Sequence, residues 1–267
     1  MSSHKESTQK TIVVALLLCL VCSIVVAASV VLLRPIQEKN KALNLKVNIL
    51  AAAGILKEGA TSAEVEKSFE RITAKLVDLE TGQYVSPEVV GVTEAIDFDQ
   101  KKASKNPKLS DALSGEEDIA SIKRREKYAK VYLIEEQGDV ETIILPIHGY
   151  GLWSTLYGFV ALNSDANTIA GLGFYQHGET PGLGGEVDNP KWKAQWPGKK
   201  IYDLEASQEP MIKLVKGSVD TSKPGAEYGV DGLSGATLTS RGVTNLLHFW
   251  LGDNGFQKYL NRLREGA

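Results

Sequence analysis

Residues 11–33 are 23 consecutive positions without a charge, mostly Val, Leu, Ile and Ala. As a helix this run spans roughly 34 Å, enough to cross a bilayer core of about 30 Å. It exceeds the apolar region of a secretory signal, and Ala27-Ala28-Ser29 lies inside the run rather than after it. A retained membrane anchor is therefore the expectation. Beyond it, Ile36, Asn40, Leu43, Val47 and Leu50 recur on one helical face, so 34–60 reads as a stalk between the anchor and a soluble domain over 61–267. Residues 1–10 are a short polar tail. Thr61 and Glu64 have capping-box spacing, and Val65, Phe69, Ile72 and Leu76 continue an apolar stripe, which predicts a helix over 62–76. Thr81-Gly82 between β-prone runs predicts a hairpin within 77–93. From 97 to 126 the chain is polar and charged, the pattern of an exposed helix and loop excursion.

Segments 130–134, 140–145, 156–162 and 168–175 are strand-length and separated by turns bearing Gly, Asp or Asn. Four such strands with short connections predict an antiparallel sheet. Asp188-Asn189-Pro190 places a capping residue and an early Pro before one or two helical turns at 191–196. Residues 211–215 read as another strand, 237–251 as a helix ended by Asp253-Asn254-Gly255, and 256–263 as a final short helix. The fold class is α+β: one N-terminal transmembrane helix, then a single domain with a mainly antiparallel sheet and flanking helices.

A length of 267 residues leaves room for a span and one sizeable domain. The formal charge is −3; without residues 1–33, which hold Lys5, Glu6 and Lys10, 28 basic residues face 32 acidic ones, or −4. That balance argues against nucleic acid, whose binding needs a concentrated basic face. Both cysteines, Cys19 and Cys22, lie in the apolar run on one helical face, as membrane filler or as ligands toward a neighbouring subunit's metal. Val21 is too large for the position before a lipidated Cys22. Lys5 and Lys10 precede the span while Arg34, Lys39, Lys41 and Lys46 follow it, so basic-residue counting alone leaves the domain in the cytoplasm.

Three stretches carry chemistry. At 231–240, Ser234 reads as the N-cap of the following helix, and Gly235 and Ala236 leave its backbone uncovered, so the first N–H groups point at a bound anion. At 177–185, four glycines form either a tight connection or a loop that lies against a ligand. At 146–153, Gly149 and Gly151 flank a turn, and Leu152-Trp153 either walls a flat aromatic ligand or leaves Trp153 as a core anchor. His148 and His177 read as ordinary core or surface histidines, with no metal-ligand cluster and no catalytic constellation. No Gly-x-Gly-x-x-Gly fingerprint assigns NADH binding to this chain, and the uncharged span offers no carboxylate to a cation.

Asp-x-x-Ser-Gly-Ala-Thr at 231–237 resembles the attachment motif of the FMN-binding domain family, in which the last Thr carries FMN through a phosphoester bond. The resemblance makes Thr237 the carrier, with Asp231, Ser234, Gly235 and Ala236 around it. Arg241 either pairs with the phosphate or faces solvent. Glu-Thr-Pro-Gly-Leu-Gly at 179–184 resembles the loop beside the flavin. This implies that Glu179 and Thr180 hydrogen-bond the isoalloxazine edge, that Leu183 packs on its face, and that Gly182 and Gly184 admit it, with Leu152 and Trp153 as a further wall. In the family a flavin transferase moves FMN from FAD to the Thr with AMP leaving, and Asp231 orders the turn or binds a cation meanwhile.

With Asn-Ile-Leu-Ala-Ala-Ala-Gly at 48–54 and Gly-Tyr-Gly-Leu-Trp at 149–153, these motifs resemble, in order, the C-subunit family of bacterial sodium-translocating NADH:quinone reductases. The related G-subunit family of Rnf electron-transport complexes shares the anchor, the Gly-rich loop and the threonyl motif, but is typically shorter and is not associated with the first run. The resemblance implies an electron-transfer subunit with covalent FMN, inactive alone, in a complex that oxidises NADH, reduces quinone and exports sodium. It implies partner membrane subunits, a flavin transferase during maturation, and a single-pass location in the bacterial inner membrane. The flavin domain is then periplasmic, against the basic-residue count, since long domains cross largely regardless of charge. A reading of another class is an anchored module that holds a phosphate ligand without redox work.

Overall fold

The computed structural model describes residues 8–56 and 59–266. Most of the predicted tail, Lys5 included, lies outside the described residues, as do residues 57 and 58 of the predicted stalk. The chain divides into two compact units that meet between Asn44 and Leu45. The first consists of the N-terminal part of helix α1 (Thr8–Ala52), which passes through Pro35. Its large apolar side chains from Ile12 to Leu33 are all exposed, and its most apolar window has a mean hydropathy of 3.1.

The second unit begins on the last turns of α1. Leu45, Ile49 and Ala52, at i, i+4 and i+7, pack with Tyr132, Ile134, Ile144, Phe159 and Ala161. Leu50 is buried as the predicted stripe requires, but Ile36 is exposed. Leu45, Ile49 and Ala52 lie beside the predicted stripe rather than in it, because the sheet face selects which residues of the helix's last turns are covered. Gly171 permits the close approach: a Cβ there would stand 2.3 Å from the Ala52 carbonyl oxygen.

Helix α2 (Ser62–Phe69) starts on the predicted capping box, Thr61 and Glu64 serving each other's backbone N–H. It does not continue to 76. Strand β1 (Ile72–Asp78) takes over, pairing along its whole length with β5 (Tyr128–Glu136). Leu76 and Val77 enter cores on opposite faces of the sheet, an alternation that a helix cannot provide. The hairpin at Thr81-Gly82 joins β1 to β2 (Tyr84–Val85), with Gly82 at φ 70°.

The expected excursion at 97–126 is folded back in part. It holds α3 (Gln100–Ala103) and the antiparallel pair β3 (Ser110–Ala112) and β4 (Arg124–Glu126), and it buries Ala103, Ser110, Ala120 and Glu126. Strands β5, β6 (Asp139–Tyr150), β7 (Thr155–Asn163) and β8 (Ile169–Gln176) contain most or all of each of the four predicted segments, in consecutive antiparallel pairing. The six-stranded sheet has the order β2-β1-β5-β6-β7-β8. Helix α4 (Pro190–Lys193) is capped by Asn189. The predicted strand at 211–215 is β9 (Lys213–Val215), which pairs in parallel with β10 (Gly229–Asp231) outside the main sheet.

Helix α5 (Thr237–Leu251) has its predicted bounds, and α6 (Gln257–Arg264) follows. Val243, Leu246, Leu247 and Trp250 of α5 pack on Leu133, Ile143, Leu145, Ile147 and Val160 of the sheet. Gly149 and Gly242 allow the approach. A Cβ on Gly149 would stand 2.5 Å from Leu246 Cβ, and one on Gly242 would stand 2.5 Å from the Tyr150 carbonyl oxygen. This contact sets the start of α5 beside the end of β6.

Candidate functional site

Strand β10 delivers the chain into the turn that precedes α5. The Asp231 carboxylate accepts the Val219 N–H at 2.7 Å, its carbonyl accepts the Trp192 indole N–H at 2.9 Å, and its own N–H donates to Gln195 Oε1 at 3.1 Å. Asp231 therefore ties the entry to the turn to Val219, Trp192 and Gln195. Gly232 passes so close to β9 that a Cβ would stand 2.4 Å from the Val215 carbonyl oxygen. Gly235 is left-handed at φ 72°.

Ser234 is not the N-cap. The left-handed Gly235 puts it outside the helix, where it is exposed, and Ala236 occupies the cap position without a side-chain hydrogen bond. Ser240 Oγ instead reaches back to accept the Leu233 N–H at 2.9 Å. Helix geometry gives the first-turn N–H groups no acceptor within the helix. An uncapped start of this kind is a site for anionic oxygen. Thr237 and Leu238 are exposed there, Thr239 is fully buried, and Arg241 is exposed.

The glycine-rich loop meets this turn directly: a Cβ on Gly235 would stand 3.0 Å from Leu183 Cδ2. Thr180, Gly182 and Leu183 are exposed, Gly182 is left-handed at φ 76°, and Gly184 is buried. Glu179 is turned inward and is only 5 % exposed. Its Oε1 accepts the N–H groups of Trp153 at 3.0 Å and of Leu152 and Ser154 at 3.2 Å, and its Oε2 accepts the Thr239 hydroxyl at 2.6 Å. Burial alone would raise this carboxyl, but the Thr239 hydroxyl and the three backbone N–H groups outweigh it and hold the group below the usual carboxylate range.

Trp153 is 66 % exposed, which rules out its reading as a core anchor. His177 is a scaffold residue, its Nε2 2.8 Å from Asp188 Oδ2 and its Nδ1 accepting the Glu179 N–H at 3.2 Å. His148 stacks on Tyr157 with ring centroids 5.4 Å apart. Burial, with Lys101 nearby, pushes it down to about 4, so it is neutral at pH 7. Among the described residues no group of three or more His, Cys, Asp or Glu is placed to hold a metal.

Sequence reasoning missed Leu238, Thr239 and Gly242. The Thr-Leu-Thr run after the motif is the one signal that marked the first two. The structure brings the loops at 151–154 and 178–184 together on the first turns of α5. Leu152, Trp153, Leu183 and Leu238 leave exposed apolar surface around an exposed threonine hydroxyl and an uncapped helix start. Those features fit a flat aromatic ring attached to a phosphate.

Residues 151–252 match the FMN-binding domain family, which makes this a flavin-domain protein with an apolar N-terminal helix. Over 265 residues the chain is 55% identical to the C subunit of the Na(+)-translocating NADH-quinone reductase of Pseudomonas aeruginosa, covering 99% of each chain. It is 46% identical to the corresponding protein of Vibrio alginolyticus over 267 residues, covering 100% of this chain and 99% of that one. The crystal structure of NqrC from Shewanella oneidensis is similar with a TM-score of 0.73 at 37% identity, covering 83% of this chain and 96% of that one. The chain belongs to the C-subunit family of the Na(+)-translocating NADH-quinone reductases, which are oxidoreductase complexes.

Proposed function

We propose that this chain is the electron-transfer subunit that carries FMN as a phosphoester on Thr237, in a membrane complex that oxidises NADH, reduces quinone and exports sodium. The observation that carries the reading is the exposed Thr237 at the uncapped start of α5, ringed by exposed apolar side chains from three separate segments. Bound FMN supplies one- and two-electron chemistry.

The chain's own residues bind and orient the cofactor. First-turn N–H groups of α5 balance the phosphate charge. Gly235, left-handed and without a side chain, keeps the approach to Thr237 open for a flavin transferase during maturation. Leu152, Trp153, Leu183 and Leu238 cover the ring and exclude water from it. The apolar part of α1 is the single-pass anchor in the bacterial inner membrane, with the flavin domain on the periplasmic side beside the other membrane subunits. Residues 11–33 carry no charge, so sodium passage is assigned to those other subunits rather than to this helix. Denaturing electrophoresis tests the reading. Flavin fluorescence should stay with the band when the chain is made alongside its transferase and should vanish in Thr237→Ala; a fluorescent Thr237→Ala band would refute it.

A further inference from the structure

We propose that Thr239 and Glu179 form a positioning pair that locks the two ring-facing loops to the attachment helix. The resemblance implied a ring-edge contact for Glu179 and no role for Thr239. The geometry points elsewhere. Thr239 is fully buried, and its hydroxyl donates to Glu179 Oε2 at 2.6 Å. The carboxylate's other partners are the N–H groups of Leu152, Trp153 and Ser154. One acidic side chain on the glycine-rich loop therefore ties down the loop that presents Leu152 and Trp153, and a single hydroxyl ties that acid to the helix that starts at Thr237.

The surroundings are shaped for this pair. A Cβ on Gly184 would stand 2.6 Å from Thr239 Oγ1 and 2.7 Å from Glu179 Oε2, and one on Gly151 would stand 2.7 Å from Glu179 Oε1. Either side chain would displace the carboxylate, so both glycines are spaces kept for it. Hydrogen bonds to a charged group are among the stronger ones, and a buried carboxylate that loses a donor is left under-satisfied. Removing the Thr239 hydroxyl cuts the side-chain link between this carboxylate and α5, so the 152–154 N–H groups are bonded to an acceptor that the helix no longer holds in place.

The inference concerns the scaffold, and its bearing on the cofactor rests on FMN at Thr237. Amide hydrogen exchange on the full chain in detergent tests it without any flavin. In Thr239→Val, which keeps the branched shape, the 152–154 amides should exchange roughly tenfold faster while those of β7 at 156–162 stay unchanged. Thr239→Ser should restore wild-type exchange. In flavin-loaded protein, Thr239→Val should keep its covalent fluorescent band but lose most of the visible circular dichroism of the ring, and Thr239→Ser should recover it. Unchanged exchange at 152–154 in Thr239→Val would overturn the proposal. So would equal acceleration throughout β7, which marks a general structural role, or a Ser variant as defective as the Val one. A wild-type chain without a fluorescent band would contradict the Thr237 reading alone and leave the exchange result standing.

Discussion

Leu183 lies against Gly235, its Cδ2 3.0 Å from where a Cβ on that glycine would stand, so the glycine-rich loop closes on the turn that leads into α5. Gly235 is also left-handed at φ 72°, a conformation that costs a residue with a Cβ about 1–2 kcal/mol. Gly235→Ala is expected to destabilise the domain by about that amount and to push Leu183 outward. Thermal unfolding should show the loss, and in-gel fluorescence should show reduced flavin loading. A variant with wild-type stability and loading would mean that this turn is not held as described.

Glu126 gives the domain a pH dependence. It is fully buried, its Oε2 has no hydrogen-bond partner, and Gln100 Nε2 donates to its Oε1. Burial raises it from an ordinary 4.5 to about 7, against hydrogen bonds from its own backbone and Gln100 and the charge of Arg125. The folded chain therefore holds this proton more tightly than the unfolded chain does. The contribution is fully present below the unfolded value and is lost as pH rises through the folded one, between roughly 4.5 and 7, to a limit of about 3 kcal/mol. Glu126→Gln should flatten that part of the stability profile, measured by chemical denaturation across pH. An equally steep fall in the variant would assign the effect to another group.

Much of this architecture was readable from local pattern. The four central strands alternate or run apolar between clear turn residues, and α5 ends just before its Asp-Asn-Gly. Strand β1 was not legible, because Phe69, Ile72 and Leu76 satisfy a helical spacing equally well and only pairing with β5 decides the matter. The capping role given to Ser234 failed for a related reason. It rested on residue type, whereas the left-handed Gly235 moved the helix start beyond it. The role of Thr239 stayed hidden because its partner lies 60 residues away in the chain, and the Thr-Leu-Thr run marks the residue without reporting a contact at that separation.

Orientation in the membrane separates the family expectation from charge counting. Protease added to intact spheroplasts should cut the chain beyond Arg34 if the flavin domain is periplasmic. Protection until lysis would favour the distribution of Lys10, Arg34, Lys39, Lys41 and Lys46, which points the other way.

The proposed phosphoester at Thr237 is read directly by peptide mapping. Trypsin cleaves after Lys216 and Arg241 and is blocked at Lys223 by Pro224, so residues 217–241 leave as one peptide that contains Thr221, Thr237 and Thr239. Mass spectrometry of the chain matured with its transferase should find this peptide heavier by FMN less one water, with fragment ions placing the added mass on Thr237. An unmodified peptide, or a flavin placed on Thr239 or elsewhere, would contradict it.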